Sequence, residues 1–148
     1  MITILNTSEK KKFLEQLKEQ FGIEEMPYLL IESGKEKIRG FSGNLSRDEL
    51  SFLSREINVE TIGCYLFKIE KQGLRLSFDA PLLLNPKENI IEISDEEAIS
   101  WLKGKNLEYS GDKKGFVVIK NKDYFLGCGK ASEGRITNFV PKERRLRG

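Results

Sequence analysis

The basic residues near the C-terminus have types and a spacing that suit the binding of a polyanion. The chain closes with "VPKERRLRG", which holds Lys142, Arg144, Arg145 and Arg147. Arginine forks bind phosphate oxygens in bidentate geometry. Interleaved apolar residues, Leu146 among them, predict an ordered strand after the proline, with Lys142, Arg144 and Leu146 on one face. The alternative is a solvated, disordered tail, as terminal charge runs often are.

A second basic cluster, Lys103, Gly104 and Lys105, follows a predicted helix. A helix C-cap alone explains these residues, because glycine is favoured there and cations suit the negative end of the helix dipole. They also suit close approach of a phosphate backbone, since glycine lets the main chain come near a ligand. The two interpretations are compatible, and both stay open here.

Enzyme chemistry has little support in the sequence. Histidine is absent from the 148 residues, which removes the usual general base and the commonest metal ligand. The two cysteines, Cys64 and Cys128, form no CxxC pair, and we predict buried free thiols, with a disulfide between them left open. No nucleotide-binding glycine motif is present, so we expect no cofactor. A small enzyme that uses a thiol or a carboxylate is the remaining catalytic alternative.

Charge is divided unevenly along the chain. Residues 1–100 carry 13 Lys and Arg against 18 Asp and Glu, whereas residues 101–148 carry 12 against 5. Such asymmetry suggests one part for structure or protein contacts and another for a polyanion. Neither a signal peptide nor a membrane-length apolar run is found, so we expect an intracellular, cytoplasmic protein without membrane contact.

Helices and strands alternate before a domain boundary that we place near Leu84–Ile90, because Pro81 and Pro86 bracket a short apolar patch there. The first predicted element is a helix that Ser8 caps and Gly22 ends, and strands at "PYLLIES" and "KIRGFSG" follow it. A second helix starts with a capping box formed by Ser46 and Glu49, and its apolar face is Leu50, Leu53 and Ile57. A half-buried hairpin with its turn at Gln72–Gly73 comes next.

Beyond this boundary the pattern is one short helix and several short strands. Ser94 and Glu97 form a second capping box, Ala98, Trp101 and Leu102 make its apolar face, and Gly104 ends it. Two strands then flank a turn at 121–123, and a short strand and a terminal strand follow. This composition is typical of a small β-barrel.

Residues "EEAISWLKGKNLEYSGDKKGFVVIKNKDYFLGCGKASEGRITNFVPKERRLR" resemble a PUA domain, the RNA-binding fold named for pseudouridine synthases and archaeosine transglycosylases. The closing "VPKERRLR" is most similar to the C-terminal region of Sun-class RNA 5-methylcytosine methyltransferases. "VETIGCYLFKIEKQGLRLSFDAPLLL" is similar to the α/β domain that precedes the PUA domain in pre-ribosomal factors. The resemblance implies an α+β protein: an α/β pre-PUA domain at 1–88 and a PUA mixed β-barrel at 89–148.

The resemblance also implies a function, namely non-catalytic binding of structured rRNA or tRNA in ribosome biogenesis or RNA modification. PUA domains generally bind through the first helix with its glycine turn and through the last strand. The positions carried over are Lys103, Gly104, Lys105, Lys142, Arg144, Arg145 and Arg147, and charge and nearness add Lys130 and Arg135. Candidate protein partners are an RNA-modifying enzyme or a pre-ribosomal protein. The alternative is a protein-interaction module that serves an RNA methyltransferase in trans.

Overall fold

Two five-stranded sheets follow each other along the chain in the computed structural model, which describes residues 2–34, 36–42, 46, 48, 49, 52, 55 and 63–147. The first sheet is antiparallel, with strand order β1-β2-β3-β4-β5. Its strands are β1 (Ile2–Ile4), β2 (Leu29–Ser33), β3 (Lys37–Phe41), β4 (Cys64–Glu70) and β5 (Gly73–Leu76). The strands predicted at "PYLLIES" and "KIRGFSG" and the hairpin at Gln72–Gly73 are therefore confirmed.

Helix α1 (Thr7–Phe21) packs its apolar side on the first sheet. Leu17 and Phe21 are fully buried, and the ring centroid of Phe13 lies 5.4 Å from that of Phe67 in β4. The helix begins two residues earlier than predicted, because Asn6 and not Ser8 is the N-cap and forms the capping box with Glu9. Asparagine caps as well as serine does, so sequence alone did not separate the two. Gly22 ends the helix in the left-handed conformation, as predicted.

The predicted capping box at Ser46 is confirmed. The backbone N–H of Glu49 donates to Ser46 Oγ at 3.1 Å, and the backbone N–H of Ser46 donates to Glu49 Oε1 at 3.3 Å. The apolar face predicted for this helix, Leu50, Leu53 and Ile57, lies outside the described residues.

The second sheet has the order β6-β8-β9-β10-β7 and is mixed, because β6 runs parallel to β8 while the other pairs are antiparallel. Its strands are β6 (Ile90–Glu92), β7 (Leu107–Glu108), β8 (Gly115–Asn121), β9 (Tyr124–Ser132) and β10 (Arg135–Asn138). Two helices complete this part of the chain: α2 (Ala80–Leu84) and α3 (Asp95–Leu102). The Ser94–Glu97 capping box is confirmed at the start of α3.

One prediction about the second sheet is wrong, namely the terminal strand. Lys142–Arg144 forms a short 3-10 helix, and the following residues pair with no strand. The backbone N–H of Arg144 donates to the carbonyl oxygen of Pro141 at 2.9 Å, which closes a turn, and the N–H of Leu146 donates to Leu102 at the end of α3. The closing segment therefore forms a hydrogen bond with a carbonyl group at the end of a helix, where such groups lack partners within the helix, and it does not pair with the edge of a sheet.

Apolar packing joins the two sheets. The larger core cluster contains Leu66 and Leu74 from the first sheet together with Phe116, Val118 and Cys128 from the second. The smaller cluster lies around Trp101, between α3 and the second sheet. The sheets fall on either side of residue 88, yet this shared core crosses that point, so the division into domains at 1–88 and 89–148 stays a prediction.

Candidate nucleic-acid interface

The glycine turn after α3 is the first part of the candidate interface. The helix ends at Leu102, and the N–H groups of Lys103, Gly104 and Lys105 donate to carbonyl groups of the last helical turn at 2.9 to 3.2 Å. Gly104 has a φ of +93°, a conformation that costs other residues energy. Lys103 and Lys105 are exposed on either side of it. The C-cap interpretation is therefore confirmed, and it leaves both ammonium groups facing solvent.

The closing segment lies directly on this turn. The N–H of Leu146 donates to the carbonyl oxygen of Leu102 at 2.8 Å, and Arg145 Nε donates to that of Val140 at 3.0 Å. The Arg145 side chain passes so close to Gly104 that a Cβ added there would meet Arg145 Nε at 2.6 Å. The structure thus brings together the two sequence-distant clusters that the motifs singled out, without the predicted strand.

Asn138, which the sequence analysis did not single out, joins the turn to the closing segment. Its Nδ2 donates to the carbonyl oxygens of Trp101 at 2.7 Å and Lys105 at 2.9 Å, and its Oδ1 accepts from the N–H of Val140 at 2.8 Å. The only signal in the sequence was an asparagine at the end of a predicted strand, where such side chains often bond to nearby backbone.

Two further arginines of the tail differ in what they contact. Arg144 Nη1 forms an ion pair of 2.7 Å with Asp79 Oδ2, and its guanidinium lies 4.7 Å from the ring centroid of Phe78. The hydrogen bond to the Asp79 carboxylate raises the pKa of Arg144. Arg147, in contrast, is exposed and makes no hydrogen bond or ion pair with another described residue.

Lys142, Lys103 and Lys105 resemble Arg147 in this respect: within the described part of the chain, their side chains are exposed and have no hydrogen-bonding or ionic partner. We call Lys103, Gly104, Lys105, Lys142, Arg145 and Arg147 the turn-and-tail surface. Four of its five cations are therefore free to bind an anion, and the fifth, Arg145, holds the tail to the turn.

Lys130 and Arg135 lie elsewhere. Lys130 Nζ donates to Gln72 Oε1 at 2.5 Å, so it bridges β9 to the β4–β5 turn of the first sheet. Arg135 is exposed at the start of β10, where its backbone is in register with Glu108 of β7, whereas the other end of β10 reaches the glycine turn through Asn138. The structure does not bring these two side chains to the turn-and-tail surface.

The cysteine thiols have the wrong properties for nucleophiles. Cys128 is buried, and burial raises its pKa to about 12. Cys64 is exposed, which corrects the prediction of a second buried thiol. Its pKa is raised by desolvation and by the nearby Asp79 carboxylate. A reactive thiol needs a lowered pKa, so neither environment activates the sulfur. Both thiols are free, and among the described residues no cluster of metal-ligating side chains occurs.

Asp95 and Glu97, two closely spaced carboxylates, serve the start of α3. Glu97 completes the capping box, and Asp95 accepts hydrogen bonds from Asn121 and Lys122 in the β8–β9 turn. These two bonds lower the pKa of Asp95.

No helix among the described residues has the length and apolar character needed to cross a membrane.

Comparison with known proteins agrees with this architecture. Residues 88–146 match a family model described as the Methyltransferase RsmF PUA domain. Curated relatives include ribosomal RNA small subunit methyltransferase F of Photobacterium profundum, 33% identical over 91 residues that cover 60% of this chain and 19% of that protein. The enzyme of the same name from Shewanella woodyi is 26% identical over 143 residues, 95% of this chain and 29% of that protein. The chain spans less than a third of the length of these relatives.

A solved structure extends the similarity to both sheets. The conserved PUA domain protein from Thermoplasma acidophilum has a TM-score of 0.64 and 19% sequence identity, and the similarity covers 97% of this chain and 96% of that one. The α+β fold with a PUA domain is thus confirmed, as is the resemblance of its C-terminal part to the PUA domain of Sun-class methyltransferases.

Proposed function

We propose that this protein is a non-catalytic, cytoplasmic RNA-binding protein that binds structured rRNA or tRNA through the turn-and-tail surface. The observation that supports the proposal is the contact between the glycine turn and the closing segment, Arg145 over Gly104, because it lays the segment that carries Lys142, Arg145 and Arg147 on the turn that carries Lys103 and Lys105. The PUA match of residues 88–146 to a ribosomal RNA methyltransferase supports the choice of RNA as the polyanion. Because that relative modifies ribosomal RNA, we also propose that this protein takes part in ribosome biogenesis or RNA modification.

Phosphate contacts and RNA shape would supply the affinity. The grooves of A-form RNA offer side chains little base readout, and exposed lysines act as point charges toward phosphate oxygens. Lys103 and Lys142 come from the two segments that meet at Gly104, and neither has a partner among the described residues. Arg144 contributes less in this arrangement, because Asp79 already neutralises it.

The test is RNA binding by Lys103→Gln/Lys142→Gln, with bulk tRNA and small-subunit rRNA as probes. The expected result is weaker binding and a slope of log K against log salt that is shallower by about 0.7–0.9 for each lost phosphate contact. Lys11→Gln/Lys12→Gln, which removes the same charge from the exposed side of α1, is the matched control. Equal losses in both double variants, or no loss in the first, would contradict the proposal.

A protein-interaction role is the second candidate, and one observation favours it. Leu82 and Leu83 of α2 are 78% and 41% exposed, which is unusual for neighbouring leucines. In that role an RNA-modifying enzyme or a pre-ribosomal protein would cover α2. Leu82→Ser/Leu83→Ser, which keeps every cation, would then abolish partner binding while RNA binding by the isolated protein stays unchanged.

A further inference from the structure

One face of the first sheet is basic, although residues 1–100 as a whole carry more acidic than basic side chains. Ile38, Phe67 and Leu74 point into the core toward α1. Their immediate neighbours on β3, β4 and β5 that carry cations therefore lie on the opposite side of the sheet. A register shift between β3 and β4 at Ile38/Arg39 interrupts the alternation along β4, and Tyr65 lines a cleft together with Lys37 and Arg75. We call this opposite side the outer face, and its cations are Lys37, Arg39, Lys68 and Arg75. Glu70 is the only carboxylate of these three strands, and it pairs with Arg75 at 3.0 Å.

A small cleft opens where this outer face meets the second sheet. Its volume is about 200 Å³, and its walls come from both halves of the chain. The described lining residues include two cations, Lys37 and Arg75, and no carboxylate. Aromatic side chains supply much of the rest: Tyr65 from β4, Phe78 before α2, and Phe139 after β10. We call this site the seam cleft.

Each cation of the seam cleft lies over an aromatic ring. The guanidinium of Arg75 lies 4.4 Å from the ring centroid of Phe139, and Lys37 Nζ lies 5.4 Å from that of Tyr65. Burial raises the pKa of the Tyr65 hydroxyl, and a protonated phenol is both a donor and an acceptor of hydrogen bonds. Planar rings and guanidinium groups stack with nucleobases, and an adjacent ammonium group neutralises a phosphate.

We propose that the seam cleft binds one unpaired nucleotide of an RNA, with its base against Tyr65 and Arg75 and its phosphate on Lys37. The cleft is smaller than the roughly 300–1,000 Å³ typical of sites for drug-sized ligands and cofactors, so a single base suits it better. The seam cleft lies on the side of the first sheet opposite α1, and its lining also includes Pro141, the residue before Lys142 of the turn-and-tail surface. The first half of the chain would then take part in RNA recognition as well as in structure.

This proposal rests on the proposed function, which supplies RNA as the ligand. Free mononucleotides share the same chemistry, so the two sources need separate arms. One arm uses a ten-nucleotide unpaired RNA of mixed sequence, with an abasic ribose-phosphate RNA of equal length as its control. The other arm uses the four nucleoside 5′-monophosphates.

The test compares Tyr65→Leu with Tyr124→Leu, because Tyr124 is 69% exposed on the β8–β9 turn and lies outside the seam cleft. Tyr65→Leu is expected to weaken binding of the unpaired RNA by about ten-fold and to leave binding of the abasic RNA unchanged, since stacking on one base is lost. Tyr124→Leu is expected to change neither. Lys37→Gln, at an exposed position, should weaken binding of both RNAs and so keeps the test valid if Tyr65→Leu fails to fold.

The outcomes separate the two proposals. The seam cleft is not a nucleotide site if the wild type binds the unpaired and abasic RNAs equally, or if Tyr65→Leu and Lys37→Gln both bind RNA as the wild type does. Loss of tRNA binding in Lys103→Gln/Lys142→Gln would still support the proposed function in either case. If the wild type binds no RNA, both proposals fail. If the mononucleotides bind more tightly than the unpaired RNA does, the ligand of the seam cleft is a free nucleotide, and its assignment to a nucleotide of an RNA is wrong.

Discussion

The side chain of Arg145 lies against Gly104, so close that a Cβ on Gly104 would come within 2.6 Å of Arg145 Nε. Forty-one positions separate these residues in sequence. The backbone N–H of Leu146 donates to the carbonyl oxygen of Leu102, which fixes the closing segment on the end of α3, and Arg145 Nε donates to the carbonyl oxygen of Val140. Together with the hydrogen bonds of Leu146 and Asn138, the contact between Arg145 and Gly104 brings the two basic clusters next to each other.

Gly104→Ala should therefore destabilise the protein in two ways. Alanine is strained at a φ of +93°, and its Cβ displaces the flexible end of Arg145, so the hydrogen bond to Val140 is lost. We expect a loss of about 2–4 kcal/mol in the free energy of unfolding, measured by urea titration.

Gly134→Ala is the matched control, because Gly134 has a φ of +78° and no atom within 4 Å of its added Cβ. It should show the backbone strain alone, about 1–2 kcal/mol. In an Arg145→Ala background the cost of Gly104→Ala should fall to the same value. A full cost in that background would show that Arg145 is not the cause.

Asn138→Ala should also loosen the closing segment. The substitution removes three hydrogen bonds and leaves the Trp101 and Lys105 carbonyl groups and the Val140 N–H without this partner. We expect thermal or urea unfolding to show a loss of about 1–3 kcal/mol. Asn106→Ala removes the one bond that its Oδ1 accepts from the Asn138 N–H, so its effect should be smaller. The assignment of Asn138 as the joining residue is wrong if the two variants lose equal stability.

Gln20 couples α1 to the edge strand of the first sheet. Its Nε2 donates to the carbonyl oxygen of Leu74 at 2.7 Å, and its Oε1 accepts from the N–H of Leu74 at 3.0 Å, as a neighbouring strand would. Gln20→Ala is expected to lower stability by about 1–3 kcal/mol and to speed amide exchange at Leu74. Gln16→Ala, one turn earlier on α1 and without a hydrogen-bonding partner among the described residues, should change stability by less than about 0.5 kcal/mol. Unchanged exchange at Leu74 would argue against the coupling.

The two thiols should differ in reactivity. At pH 8 iodoacetamide is expected to label Cys64 slowly, because desolvation and the Asp79 carboxylate raise its pKa and deplete the reactive thiolate. Cys128 is buried with a pKa of about 12, so labelling there requires unfolding. Mass spectrometry across a urea series measures both sites. Asp79→Asn should accelerate labelling of Cys64 and leave Cys128 unchanged, and labelling of Cys128 in native buffer would contradict the burial.

Local signals in the sequence predicted most of the elements. The capping boxes at Ser46 and Ser94 and the glycine stop at Gly22 each depend on a few neighbouring residues, and all three are confirmed. The cap at Ser8 was wrong because Asn6 offers the same chemistry two residues earlier. The strand predicted at 142–147 was wrong because the alternation of side chains does not reveal which backbone group the segment will meet.

The sequence by itself determined the elements, the basic balance of its last third, and the PUA resemblance, because propensity, patterning and composition act over short distances along the chain. Only the tertiary structure decided which charges are free. Asp79 neutralises Arg144 across 65 positions, Gln72 engages Lys130 across 58, and Phe139 meets Arg75 at the seam cleft. Ion pairs and ring contacts depend on distances of a few ångströms between groups remote in sequence, and folding alone sets those distances.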